Sequence, residues 1–393
     1  MDLFLSNRFS KLGEITEENL LNQKKNELIL NNKHVLDLVV SNPTTVGLEF
    51  PPHLLSHSFE SVNLSLYDPK PEGSIFCRDA IQKDYLGRGL EINSEQITLT
   101  ASTSEAYSFL FKLLTNPGDE ILTPNPGYPL FSFLSGLENL KEVNYPLLYD
   151  NNLGEWNYDA ETIANCISTK TKLIILVSPA NPTGSRTSQT FWDEWRHLNI
   201  QIPVILDEVF VSCEFSGQNH TFPSNPIFPL FVLGGISKLL ALPQWKLAWI
   251  LSLGSDTMQD FYKPYLHVIT DTYLSVNSIV QSITPDLFQW KQFVQNRIKS
   301  RIQRNLGITK EVLSFHPNMN VLYSGAGWYC LLEVNSEIPD ENLALQILCE
   351  CLVYIHPGSW YGFPNSKTVL VLSLIGEEEK HRDAILKLQD FFK

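Results

Sequence analysis

The sequence predicts an α/β protein, with a mostly parallel sheet in a large domain and a smaller α+β domain after it. Three observations predict this. Short, continuous apolar runs rich in valine, isoleucine and leucine recur as far as Leu253, as strands buried on both faces do. Helix-like segments separate them, the alternation that a helix-covered sheet requires. At 393 residues the chain is also long for a single core, so one large and one smaller domain are expected.

Taken in order, the strand-like runs are QITLTAS (96–102), DEILTPNP (119–126), KLIILVSPANP (172–182), PVILDEVF (203–210), PLFVLGGIS (229–237) and LAWILSL (247–253). Helical patterns lie between them, clearest in SEAYSFLFKLL (104–114) and QTFWDEWRHL (189–198). Past Thr284 the texture changes. Residues 285–315 read as one extended amphipathic helix or two short ones. WYCLLEV (328–334), a helix near 340–351, LVYIHPG (352–358), TVLVLSLI (368–375) and a helix from Glu377 follow. The expected division is an N-terminal segment, 1–45, that joins the small domain, a large domain, 46–285, and a small C-terminal domain, 286–393.

A hydrophobic content of 43% is ordinary for a globular chain. The formal charge of −14 argues against a general nucleic-acid binder, which would carry a basic face. No stretch approaches the roughly 20 apolar residues of a membrane helix, and residues 1–30 lack the apolar core of a signal peptide. The six cysteines show no metal-like spacing, and Cys349 and Cys351 point to different sides of a helix. Neither a disulfide framework nor a metal site is expected; reduced thiols and a cytoplasmic location are.

Polar groups gather where the buried runs end, the place where ligands bind in open α/β sheets. Ser102, Thr103 and Ser104 follow a strand and open a helix. Their backbone N–H groups could hold a phosphate with help from the helix dipole, or these residues could simply cap the helix. Asn181 stands in SPANPTG (178–184) between two prolines, where the need for a fixed loop backbone is the alternative reason. Asp207 and Glu208 close ILDEVF (205–210), and a buried aspartate must find a cationic or hydrogen-bonding partner. Ser237 and Lys238 end LGGISK, and Lys246 follows. A desolvated lysine favours its neutral form and becomes a nucleophile able to form a Schiff base, whereas a surface helix could carry both lysines harmlessly. Their order is more telling than any one of them. A phosphate cradle, an asparagine, an aspartate and a lysine at successive strand ends meet the needs of pyridoxal phosphate.

YDPKPEGSIFCRDAI (67–81), NPGDEILTPNPGYPLF (116–131), SPANPTG, DEVF and SKLLALPQWKLAW (237–249) stand in one order along the chain. With them the sequence resembles the fold-type I pyridoxal-phosphate enzymes of the class I/II aminotransferase family, from LDLVVSNPTTVGLEFP (36–51) to the last helix. The resemblance implies a seven-stranded, mostly parallel central sheet and transfer of an amino group between an amino acid and a 2-keto acid through a Lys238 internal aldimine. By the same resemblance Lys238 is the proton shuttle at Cα, Asp207 binds the pyridine nitrogen, Asn181 the ring hydroxyl, and Tyr128 stacks on the ring. Thr103, Ser104, Ser237 and Lys246 take the phosphate. Tyr67 reaches the phosphate of a neighbouring subunit, which implies a homodimer with shared active sites. A decarboxylase, lyase or cyclase on the same fold is the alternative. A binding module without activity is a third reading, disfavoured because Lys238, Asp207 and Asn181 are all present.

Four positions depart from the family's pattern. Lys246 stands for an arginine, giving a point charge instead of a fork. Phe210 stands for a tyrosine whose hydroxyl contacts the ring oxygen, and Ser41 for a glycine beside the substrate. Val371, two residues before Ser373, takes the place of the arginine that grips the substrate carboxylate, and no arginine lies between 353 and 381. Arg186 is a conceivable substitute, or a surface residue. His356 and Trp360 read as entrance or packing residues. Arg297, Lys299, Arg301 and Arg304 read as a solvated face.

Overall fold

The structure, a computed structural model, describes residues 19–393 apart from Ser61, Asn63, Leu64, Leu66, residues 216–221, Ser224, Ser275, Ser314 and Phe315. Residues 1–18 of the expected N-terminal segment lie outside the described residues.

The described chain opens with α1 (Leu20–Leu30) and the short β1 (Leu36–Asp37). Then come α2 (Pro52–Ser58), α3 (Ile75–Gly87), β2 (Ile97–Thr100), α4 (Thr103–Leu114), β3 (Glu120–Asn125), α5 (Leu130–Leu137) and β4 (Lys141–Pro146). A hairpin of β5 (Leu148–Asp150) and β6 (Glu155–Asn157) precedes α6 (Ala160–Asn165), β7 (Thr171–Val177), α7 (Gln189–His197) and β8 (Val204–Asp207). β9 (Leu230–Gly235), the one-turn α8 (Ile236–Leu239) and β10 (Ala248–Leu253) complete the first sheet. The rest comprises α9 (Asp256–Tyr273), α10 (Ser278–Phe288), α11 (Lys291–Leu313), β11 (Met319–Leu322), β12 (Tyr329–Val334), α12 (Asp340–Cys351), β13 (Val353–Tyr354), β14 (His356–Pro357), β15 (Thr368–Ser373) and α13 (Glu378–Phe391).

Seven strands form the large sheet in the order β2-β10-β9-β8-β7-β3-β4, with β10 antiparallel to both its neighbours and the remaining pairs parallel. The continuous apolar runs are its five inner strands and the edge strand β2, and β2, β8, β9 and β10 are buried at every position. Alternation sends Leu173 and Ile175 of β7 to one face and Ile174 and Leu176 to the other. Phe109 and Leu110 of α4 and Leu266 of α9 cover the first face. Ile81 of α3, Trp192 and Trp195 of α7 and Leu287 of α10 lie in the core on the second. β4 escaped the sequence reading because, unlike the buried edge strand β2, it is an edge strand whose residues, KEVNYP, are mostly exposed or half-buried and present no continuous apolar run.

The second sheet is antiparallel, in the order β11-β12-β15-β14, and β1 pairs in parallel with β13 beside it. The stretch 285–315 is not one helix. The texture change at Thr284 falls inside α10, and α11 begins after a break at Gln289 and Trp290. The basic run on α11 also differs from expectation. Arg297 donates to Gly47 O and Glu49 O, both at 2.8 Å, and Arg301 donates to Val46 O and Gly376 O, both at 3.0 Å. Two of the four cations are therefore clasps on backbone carbonyls, not members of a merely solvated face.

Candidate active site

The parallel strands β3, β7, β8 and β9 end at one edge of the large sheet, and β2, which flanks β10 on the other side, ends there too. Register sets Val177, Asp207 and Leu233 in one row, so β7 and β8 end level with one another and β9 runs two residues further, to Gly235. This edge opens into a cavity of about 700 Å³ whose wall includes Thr103, Ser104, Tyr128, Asn181, Asp207 and Lys238. A cavity of this volume suits a small-molecule site.

Lys238 enters it from α8. The turn out of β9 is tight: a Cβ on Gly234 would lie 2.5 Å from the Trp249 indole, so only glycine lets the strands approach there. Lys238 Nζ donates to Ser41 O at 3.0 Å and lies 4.5 Å from the Trp328 ring centroid and 6.0 Å from that of Phe210. Burial among these groups lowers its pKa to about 8, which puts a useful fraction in the nucleophilic neutral form.

Asp207 and Glu208 are neighbours at the end of β8 and serve different sides. Glu208 pairs with Arg88 at 2.8 Å, beneath the sheet edge. Asp207 accepts from Tyr107 Oη at 3.0 Å and Val209 N at 2.8 Å, and among the described residues no cation pairs with it. Desolvation raises its pKa to about 6. Asn181 Oδ1 is buried and has no hydrogen-bond partner among the described residues. The Tyr329 hydroxyl takes side-chain hydrogen bonds from Ser41 and Asn181, and burial holds its pKa well above the usual phenol value.

The cap of α4 combines both readings of that sequence. Ser102 Oγ accepts from Glu105 N at 3.0 Å, and the Glu105 carboxylate accepts from Ala101 N at 2.6 Å. Capping is thus done by Ser102 and Glu105, and the first-turn amides of Thr103 and Ser104 have no intrahelical acceptor. Lys246 lies two residues before Ala248, the first residue of β10, which is level with Thr100 and Gly235, so it stands at the same sheet edge. It is exposed, in the left-handed conformation (φ 51°), and neither it nor the half-buried Ser237 is on the cavity wall. Tyr67 is 71% exposed and borders a different hollow, with Asp68 and Leu274.

Sequence reasoning missed Tyr107, Tyr329 and Tyr361, all on the wall. Tyr107 had a signal, since it lies four residues after Thr103 on the same helix face. His356 and Trp360, read as entrance or packing residues, are on the wall as well. Arg186 belongs elsewhere. Its guanidinium is paired with Glu214 at 2.9 Å and lies 3.7 Å from Glu155, in a separate cavity, so it is neither a loose surface residue nor part of this site.

A lysine of depressed pKa, a buried carboxylate lacking a cation and an unpartnered buried amide oxygen make a donor set that fits pyridoxal phosphate. They match its aldehyde, its protonated ring nitrogen and its polar ring substituent.

The family model for aminotransferase class I and II matches residues 59–378. A tyrosine aminotransferase of Dictyostelium discoideum is 27% identical over 361 residues, covering 85% of this chain and 84% of that protein. A glutamate-pyruvate aminotransferase of Escherichia coli (strain K12) is 23% identical over 341 residues, covering 84% of each. Among solved structures, an alanine aminotransferase from Pyrococcus furiosus superposes with a TM-score of 0.86 at 20% identity, covering 98% of this chain and 99% of that one.

Proposed function

The chain belongs to the class I and II aminotransferase family, and from that premise we propose how its own residues divide the work. The reaction is transamination, in which an amino group passes between an amino acid and a 2-keto acid, and pyridoxal 5'-phosphate is the cofactor. When bound, the cofactor supplies an aldehyde to carry the amino group and an electron-withdrawing ring that stabilises negative charge at the substrate Cα.

Lys238 would hold the cofactor's aldehyde group and would move the proton at the substrate Cα. Its depressed pKa supports both roles, since a lysine must be neutral to attack or to act as a base. Asp207 keeps the ring nitrogen protonated. Asn181 bonds the ring hydroxyl, and Tyr128 covers the ring and excludes water. The free amides of Thr103 and Ser104 take the phosphate, and the position of Lys246 at the same sheet edge supports its part there, beside Ser237. Tyr67, exposed in one chain, serves the phosphate site of a second copy, so the enzyme is a homodimer with shared sites. We assign a cytoplasmic location from the reduced thiols that the cysteine spacing suggests; among the described residues no helix is long and apolar enough to cross a membrane. We also propose an N-terminal segment, 1–45, and two domains, with the boundary between the domains at the break after α10, Gln289 and Trp290, and not at 285, since Leu287 of α10 lies in the core on the large sheet. Leu130, Phe133 and Trp360 on the wall, together with the names of the relatives, favour an amino donor with an apolar or aromatic side chain.

The observation that carries this reading is the meeting of Lys238, Asp207 and Asn181 in one cavity. Borohydride reduction of the cofactor-loaded protein, followed by peptide mass mapping, is expected to place the cofactor on Lys238. Lys238→Ala should yield no adduct. An adduct on another lysine in the wild type would overturn the assignment.

A further inference from the structure

Amino acid and keto acid share a carboxylate, and the site must hold it. Among the described residues on the cavity wall, the basic side chains are Lys238 and His356. Lys238 is committed to the cofactor under the reading above, on which this inference rests. His356 of β14 lies directly opposite Val371 of β15, so the two side chains leave the same face of the sheet. Val371 is fully buried, and His356 is the one that reaches the cavity.

Its hydrogen bonds fix where its proton sits. Tyr354 gives its only hydroxyl proton to Asn22 Oδ1, so Tyr354 Oη must accept from His356 Nε2, 3.1 Å away. The neutral ring therefore carries its proton on Nε2. Nδ1 accepts from the Tyr361 hydroxyl at 3.0 Å, and Tyr361 is itself on the cavity wall. Around the ring, Asp37 of β1 favours its charged form, and Lys25 of α1, paired with Asp37 at 2.6 Å, opposes it. The Trp360 ring lies 5.0 Å away, and Asp340 and Glu341 of α12 are engaged with Ser359. Burial is the largest influence and lowers the His356 pKa to about 4, so the free site is uncharged here at neutral pH.

We propose that His356 and Tyr361 together recognise the substrate carboxylate. On binding, Nδ1 takes a proton from solvent. The Tyr361 hydroxyl, released from Nδ1, turns its hydrogen to the carboxylate, and the imidazolium behind it supplies the counter-charge. An adjacent carboxylate favours the charged ring, so each bound carboxylate brings in one proton. The sign follows. His356 is neutral above a pKa of about 4 in the free enzyme and has a higher pKa in the complex. Between those two values affinity falls about tenfold for each unit of rising pH.

The test is calorimetric titration of the cofactor-loaded enzyme with propionate, glutarate and 3-phenylpropionate, which carry a carboxylate but no reacting amine. Two buffers of different ionisation heat are used over about pH 5.5 to 8. The expected result is uptake of about one proton per ligand and binding that weakens as pH rises. His356→Gln should lose both the uptake and the slope while retaining the cofactor. His356→Arg, a permanent cation, should bind without uptake and with little pH dependence. Tyr361→Phe should weaken binding by about tenfold at the acid end. No proton uptake by the wild type, an unchanged slope in His356→Gln, or failure of all three carboxylates to bind overturns the proposal. In the amino-acid half-reaction, His356→Gln should raise KM more than it lowers kcat. Failure of the wild type to run that half-reaction at all would count against the transaminase reading instead.

Discussion

Asp207 is buried, lacks a cationic partner among the described residues and has its pKa raised to about 6. That combination makes the cofactor-free protein sensitive to pH. Between about pH 4 and 6 the folded state holds a proton that the unfolded state has released, so stability present at the acid end is lost as pH rises through this window. Asn at this position keeps the hydrogen-bonding shape without the charge. Asp207→Asn is therefore expected to stabilise the apoprotein by about 2 kcal/mol at neutral pH and by little near pH 4, while weakening cofactor binding. Urea denaturation at the two pH values checks this, and an equal effect at both would contradict it. Asp207, Asn181 and Lys238 were legible in the sequence because each ends a buried run, where a polar residue needs a reason. His356 and Tyr361 were not, because their arrangement comes from cross-strand pairing with β15 and from a proton chain through Tyr354 to Asn22 of α1. Neither is visible in local sequence.

Among the elements, α3 and β8 are joined where the site begins. The Arg88 guanidinium at the end of α3 pairs with Glu208, whose side chain is 1% exposed. Tyr85 lies 3.4 Å from the same carboxylate and accepts from Trp249 Nε1 at 3.1 Å. Removing one partner of a buried pair leaves an uncompensated charge. Arg88→Ala is expected to destabilise the protein by about 3–5 kcal/mol, measurable as a lower denaturation midpoint, whereas a loss within experimental error would show that the pair carries no such role. The inner strands were readable from their continuous apolar runs. β4 was not, because only Tyr145 of its six residues is buried, whereas β2 at the other edge is buried throughout. The start of α10 was hidden as well, since the Ser278–Thr284 turns belong to the same helix as the residues after the apparent change in texture.

For the whole molecule, the cavity draws its wall from both sheets. Asp207 comes from the large one, Thr103 and Lys238 from the helices α4 and α8 that follow its strands β2 and β9, Tyr329 and His356 from the second sheet, and Asn22 from α1. Arg297 and Arg301 tie residues 46–49 to α11, and Arg301 also holds the turn after β15, so these parts are held together around the site. The order of motifs along the chain was enough to foresee this architecture, because the same strand ends must meet at one sheet edge. Which wall faces the substrate was not foreseeable, since it depends on how the second sheet folds back. The central claim is that this shared cavity passes an amino group through Lys238. It is tested most directly by a single turnover of the cofactor-loaded enzyme with L-tyrosine, L-alanine or L-glutamate and no keto acid acceptor. The account requires at least one of them to yield one equivalent of its keto acid per site, leaving the cofactor in its amino form, with no yield from Lys238→Ala. Continued release of carbon dioxide or ammonia with the cofactor still an aldehyde, or keto acid formed by Lys238→Ala, would contradict it.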